Sequence, residues 1–311
     1  MTDLSAFVIC LSLLLYLLLD GTDLGVGMLF CWFHDDEQRE LMTHSILPVW
    51  DANETWLVLM AGGLLALFPP VYALLLSELS VPLFVMLLAL LMRAMALEYR
   101  AQSSTRLRPW LDRVMAGCSA MATFIQGWCA GMVIGAQPHT GLPDGLSLIP
   151  LISGMGLMVI NSLLACCWIG WRIGDRVQPL AAAQSGLWWL LALTIFLAEC
   201  YFNADIWRQS WLRPLGKVAI GAILLLWIAL PLALWRARPL CQLILTLLLI
   251  GAVFTGLLCG LYPWLVPYQF TLSNSASSPV TQGFVLTGAV IAMPLTLLYH
   301  SWSFWVERRA K

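Results

Sequence analysis

A chain of 311 residues with 60% hydrophobic and 11% charged residues and a mean hydropathy of +0.84 is too apolar to present a water-compatible surface as a soluble domain. Its formal net charge of -1 gives no electrostatic footing for nucleic acid as a partner. The composition therefore indicates an all-α, polytopic transmembrane protein, a single integral-membrane domain over residues 1-311.

Apolar runs long enough to cross about 30 Å of hydrocarbon fall at about 5-32, 48-70, 74-99, 114-136, 147-171, 183-204, 215-235, 240-262 and 281-306. The N-terminus, MTDLSAF, lacks the basic segment of a cleavable signal, so the first run is expected to stay in the protein. It ends in LLLDGTDLGVG. Asp20 and Asp23 lie three residues apart, hence on one helix face, and Gly21, Gly25 and Gly27 allow a neighbouring helix to come close. An ionised acid at the bilayer centre costs roughly 2.5 to 3.5 kcal/mol even on mild insertion scales. Two readings follow: a carboxylate pair that holds and passes protons, or acids that lock helices together, with Arg93 as the available counter-charge.

The second run opens with WDANETW. Asp51 and Glu54 have the spacing of a helix capping box, yet acids bracketed by Trp50 and Trp56 at a membrane interface also suit the mouth of a proton path. Only Phe68-Pro69-Pro70-Val71 and Ser77-Glu78 interrupt the apolar sequence before the third run ends, so a merger of the two would leave eight spans. The third run carries Arg93, about two turns before its end, where it is expected to pair with a carboxylate of the first or second run. Glu98 is a candidate relay or a surface residue, and Arg100 is a further candidate charge partner whose position snorkelling toward the headgroups would also explain.

Later runs carry fewer charges. Glu199 and Asp205 mark a polar end of the sixth, and Pro231 and Pro294 fall inside the seventh and ninth. Pro263 and Pro267 bracket a Trp at the end of the eighth, as at an interfacial stop, and Thr271 to Gln282 is the longest candidate loop. Sixteen Trp and sixteen Pro fit membrane interfaces and membrane helices. The nine Cys sit in apolar sequence without a zinc-type spacing and read as packing residues. Of the histidines, His34, His44 and His139 fall in loops and His300 near the last run's end, so no axial pair for haem lies at membrane depth.

Lys and Arg set the orientation. With the N-terminus outside, Arg39, Arg100, Arg106, Arg108, Arg113, Arg172, Arg176, Arg236, Arg238, Arg308, Arg309 and Lys311 all become cytoplasmic, against Arg208, Arg213 and Lys217 on the other face. The C-terminus is then cytoplasmic, and Asp20, Asp23, Asp51, Glu54, Arg93 and Glu98 share the cytoplasmic half. On residues alone, a proton-coupled secondary transporter using Asp20, Asp23 and Arg93, and a purely structural membrane subunit, stand as alternatives. Against the transporter, no second acidic motif mirrors DGTD and the Gly/Pro interruptions do not repeat between halves.

The strings DGTDLGVGML, ILPVWDANETWLVLMAGGLLALFPPVYA and LLMRAMALEYR, in that order, closely resemble subunit II of the cytochrome bd family of quinol oxidases over about residues 14-100. LYPWLVPY followed by NSASS and a last helix ending LLYHSW is similar to the same family's C-terminal end. The resemblance implies two four-helix bundles plus a peripheral helix in a bacterial inner membrane, and a partner, subunit I, that carries b-type and d-type haems and oxidises quinol. It implies no cofactor in this chain, a cytoplasmic proton path through acids matching Asp23, Asp51 and Glu98, and an oxygen route entered near Trp56. A small single-helix accessory subunit and a bound lipid or structural quinone are further partners of the kind such a complex accommodates.

Overall fold

The computed structural model describes residues 1-138, 141-174 and 177-309. All nine apolar runs are helical: α1 (Thr2–Leu29), α3 (Trp50–Leu67), α4 (Pro69–Arg100), α5 (Arg108–Ile134), α6 (Leu148–Arg172), α7 (Gln178–Phe202), α9 (Pro214–Trp235), α10 (Pro239–Leu261) and α12 (Pro279–Arg309). Two short helices not expected as such join them, α2 (Asp36–Ile46) and α8 (Ala204–Trp211). The second and third runs do not merge. Phe68 leaves helical geometry at φ -136° and ψ 63°, and Pro69 opens α4 at a position where its missing N–H is no loss.

Among the described residues, eight helices are long and apolar enough to cross a membrane by length and composition, and α3 is not among them. At 18 residues it is about 27 Å long at 1.5 Å per residue, and its first turns carry Asp51 and Glu54. Its course is nevertheless fixed by its neighbours. The end of α4 meets the start of α2 through Arg100 and Asp36, so α1 and α4 finish at the same end of the molecule and α3 carries the chain back between them.

Packing follows a four, four and one arrangement. Helices α1, α3, α4 and α5 pack together, α6 packs with α7 and α10 and α9 with α10, and α12 lies outside against α3 and α1. The two groups join where α6 meets α1 and α5. One core, with Val26, Phe30, Met42, Met115 and Ala165, fills the α2 end of this junction, and a second, with Leu163, Trp227, Leu230 and Leu249, fills the α6–α10 group. Pro231 and Pro294 lie inside α9 and α12 as expected, and Pro82 lies inside α4 as well.

The polar stretch after α10 is more ordered than a loop. Trp264–Val266 (β1) and Phe270–Thr271 (β2) form a small antiparallel pair, and Leu272–Ser275 (α11) starts with a capping box from Thr271 and Asn274. Ser277 N–H then donates to the Leu67 carbonyl at 2.8 Å, tying this segment to the α3–α4 break. His139, Arg176 and Lys311, used in the sequence reading, lie outside the described residues, as do the side chains of His300, Arg308 and Arg309.

Candidate functional site

The glycines of α1 set the depth at which its acids are buried. A Cβ on Gly25 would overlap the Asn161 carbonyl of α6, and one on Gly27 would overlap the Ser119 hydroxyl of α5. Both contacts require hydrogen in place of a side chain, and with it α1 sinks between α5 and α6. Asp20 and Asp23 are consequently 0% and 2% exposed.

Arg93 is the counter-charge. Its Nη2 donates to Asp20 Oδ1 at 3.2 Å and to Glu54 Oε1 at 2.9 Å, joining α4 to α1 and α3. The Arg93 and Asp20 side chains are wholly buried, whereas Glu54 is 27% exposed. Asp23 does not reach Arg93 by a direct bond; its Oδ2 accepts from Asn53 Nδ2 at 2.7 Å. Asp51, one turn earlier on α3, is exposed. Exposure of the acids thus grades from open at Asp51, through half-open at Glu54, to closed at Asp20 and Asp23.

The capping-box expectation for Asp51 and Glu54 does not hold. Val49 is the N-cap residue and no side chain caps α3, because the helix already starts at Trp50 and Glu54 is drawn sideways to the buried guanidinium. Asp51 still lies in the first turn, where the helix dipole favours a negative charge. Glu98 is exposed and accepts from Trp50 Nε1 at 3.1 Å.

Arg100 does not snorkel; it is 2% exposed. Its Nε donates to Asp112 Oδ1 at 2.7 Å and its Nη2 to Asp36 Oδ1 at 2.6 Å. Arg39 donates to Asp112 Oδ2 at 2.8 Å and Arg108 to Asp36 Oδ2 at 3.1 Å. The guanidinium groups of Arg39 and Arg100 also lie 5.6 and 5.8 Å from the Phe30 ring centroid. Two aspartates absent from the sequence expectation, Asp36 on α2 and Asp112 on α5, gather this cluster and pull Arg100 inward. Burial raises the Asp36 carboxyl, but Arg100 and Arg108 outweigh it and hold it below its ordinary value of 3.8.

Trp56 is fully buried, packed with Tyr16 of α1 and Ala289 and Met293 of α12. Ala289 also lines an apolar groove of about 660 Å³ between α1, α3 and α12, with Leu59, Gly62, Gly63 and Gly288. At the far end of the α6–α7 pair, Glu199 accepts from Ser153 at 2.6 Å and Asn203 at 2.7 Å. Sequence reasoning missed Asn53, Tyr16 and Gln126. Asn53 lies inside WDANETW with its acids, but which acid it would face depends on packing.

Comparison with known proteins decides the family. A family model described as cytochrome bd terminal oxidase subunit II matches residues 1–307. The chain belongs to that family. Cytochrome bd ubiquinol oxidase subunit 2 of Bacillus subtilis (strain 168) is 26% identical, with 94% of this chain and 92% of the relative covered. Cytochrome bd-I ubiquinol oxidase subunit 2 of Escherichia coli (strain K12) is 24% identical, covering 92% of this chain and 88% of the relative. A chain in the structure of bd oxidase from Geobacillus thermodenitrificans superposes with a TM-score of 0.82 at 15% identity over 98% of both chains. This bd oxidase fold is thus shared in full at low identity.

His34 sits 3.0 Å from the Trp32 carbonyl and His44 beside Glu40, both at the α2 end and away from the spanning helices. No group of three or more His, Cys, Asp or Glu among the described residues is arranged to hold a metal ion.

Proposed function

We propose that this chain is the haem-free second subunit of a quinol:dioxygen oxidoreductase, paired with a haem-bearing subunit I in a bacterial inner membrane. In this reading subunit I holds the b-type and d-type haems and oxidises quinol, and the present chain stabilises it and supplies a cytoplasmic proton path. The observation that carries the proposal is the graded acid series: exposed Asp51, half-exposed Glu54, then buried Asp20 with Arg93 and Asp23 with Asn53. An ion-pair lock alone would need one buried acid for Arg93, whereas Asp23 is a second buried acid, bonded to the Asn53 amide.

The chemistry assigned to these side chains is proton holding and transfer. Glu54 shares Arg93 with Asp20, so a proton arriving at Glu54 weakens one arm of the bridge and strengthens the other. That exchange moves a charge inward without leaving the guanidinium unpaired. Glu98 and Trp50 border the mouth of this path. Taking protons from the cytoplasm while quinol releases them outside stores about 2.3 kcal/mol per charge per 100 mV.

The same reading runs an apolar oxygen route along the groove that shares Ala289 with the Trp56 cluster. Its support is the groove's lining, small at Gly62, Gly63 and Gly288, and its continuity with the Trp56 cluster through Ala289. Orientation, with the N-terminus outside and the C-terminus cytoplasmic, rests on the basic residues and on the gathering of Arg39, Arg100 and Arg108 at one end.

The test is quinol-driven oxygen uptake by the purified two-subunit complex carrying Asp23→Asn, with its haem spectrum recorded in parallel. Loss of turnover with all haems retained is the expected result. Unchanged turnover with intact haems reduces Asp23 to a structural acid.

A further inference from the structure

Among the described residues, several buried polar atoms beside the acid cluster have no hydrogen-bond partner: Asp20 Oδ2, Arg93 Nε and Nη1, Ser119 Oγ, Thr123 Oγ1 and Asn161 Nδ2. Ser119 and Thr123 are fully buried and Asn161 is 1% exposed. Leaving such groups dry costs about 1 to 3 kcal/mol each, and polar cavities meet that cost with ordered water.

These atoms form a column. Ser119, Thr123 and Gln126 follow the i, i+4, i+7 pattern that puts them on one face of α5. Both ends of the column are anchored on α1: the Ser119 hydroxyl fills the space where a Gly27 side chain would stand, and Gln126 Nε2 donates to Tyr16 Oη at 2.6 Å. Since Gly27 and Tyr16 are matched in that order by Ser119 and Gln126, α1 and α5 run antiparallel. With an axial rise of about 1.5 Å per residue, Thr123 comes level with the stretch of α1 between Asp20 and Asp23. Asn161 enters the same stretch from α6, its Oδ1 lying 2.9 Å from where a Gly21 Cβ would be. Tyr16 closes the column, its hydroxyl accepting from Gln126.

Asp20 and Asp23 are bound to different partners, Arg93 and Asn53. A proton moving from one to the other needs a bridge. We propose that water held by the Thr123 hydroxyl, with Ser119 and Asn161 completing its coordination, is that bridge. The inference rests on the proton-path reading given above. Each hop breaks one O–H bond and forms another: the bridging water takes a proton from one carboxylic acid as it gives its own to the other carboxylate. Thr123 is a positioning residue here, fixing the water.

The test is Thr123→Val in the haem-loaded two-subunit complex, which keeps the branched shape and removes the hydroxyl. Quinol-driven oxygen uptake should fall about fivefold or more, the worth of one hydrogen bond of about 1 kcal/mol, with a larger solvent deuterium isotope effect and an unchanged haem spectrum. Thr123→Ser should restore both readings, which a purely steric role would not do. Ser119→Ala, a smaller change, should act in the same direction and serves where the valine variant fails to assemble. Wild-type turnover and isotope effect in both variants overturn the bridge. Asp20→Asn measured alongside separates the two levels: if it stops turnover while the hydroxyl variants do not, only the bridge is wrong, and if it too is silent, the proton path itself fails.

Discussion

Removing Arg93 tests the electrostatics of the site most directly. Its Nη2 serves two carboxylates, Asp20 at 3.2 Å and Glu54 at 2.9 Å, and the shorter contact is the less buried one. Distance alone would rank Glu54 first; burial reverses the order. Two charges about 4 Å apart attract by roughly 4 kcal/mol at an effective dielectric of 20 and about 1 kcal/mol in water, and Glu54, at 27% side-chain exposure, sits nearer the wet limit than Asp20 at 0%. Breaking a buried pair by deleting one partner costs about 3 to 5 kcal/mol, mostly through the stranded charge. Arg93→Met should therefore lower the apparent melting temperature of the assembled complex substantially. Adding Asp20→Asn should recover part of the loss, with a coupling of about 0.5 to 3 kcal/mol in the double-mutant cycle. Adding Glu54→Gln to Arg93→Met should recover little. The assay is thermal loss of the haem spectrum in detergent or nanodiscs for the single and double variants. Additive effects of Arg93→Met and Asp20→Asn, or a larger recovery from Glu54→Gln than from Asp20→Asn, would refute this ranking.

Gly25→Ala drives a methyl group into the Asn161 carbonyl and places it 2.7 Å from the Ala165 Cβ; overpacking of this kind costs about 1 to 3 kcal/mol or more, and the expected outcome is poor assembly, read as yield of haem-bearing complex. Gly170→Ala, with nothing within 4 Å of the added atom, is the control and should assemble normally. Asp36 gives a pH-dependent effect: its carboxyl is held below 3.8 in the folded chain, so its stabilisation is present above that value and is lost as pH falls through the folded pKa. Asp36→Asn should thus lower thermal stability at neutral pH by no more than about 1 kcal/mol, as befits a pair with an exposed partner, and the difference from wild type should vanish in acid below 3.8. Trp56→Ala empties a buried volume that abuts the apolar groove; the oxygen-route reading expects a changed KM for oxygen with an unchanged rate at saturation, measured by oxygen electrode. A fall in the saturated rate with unchanged KM would remove Trp56 from the route.

The helices were legible because hydrocarbon thickness imposes a length and lipid imposes an apolar composition, and both are one-dimensional properties of a sequence. What escaped was whatever depends on which faces meet. Asp51 and Glu54 satisfy a capping pattern on paper; only the placement of Arg93, 39 residues after Glu54 on α4, shows that Glu54 turns away from the backbone. Arg100 lies at a helix end, where a long basic side chain ordinarily reaches for headgroups, but Asp36 and Asp112 meet it from α2 and α5 and make burial the lower-energy choice. Asp112 carried a usable signal, being an acid at the start of an apolar run with the same period as Ser119, Thr123 and Gln126. That period places four polar side chains on one face of α5, and an otherwise lipid-compatible helix does not keep such a stripe without something polar opposite. On α1 the opposite groups are Tyr16, Asp20 and Asp23, spaced so that they share a face by the same rule. The match of the two stripes, more than any single acid, is what a reading of the sequence alone can use to locate the interior of the site.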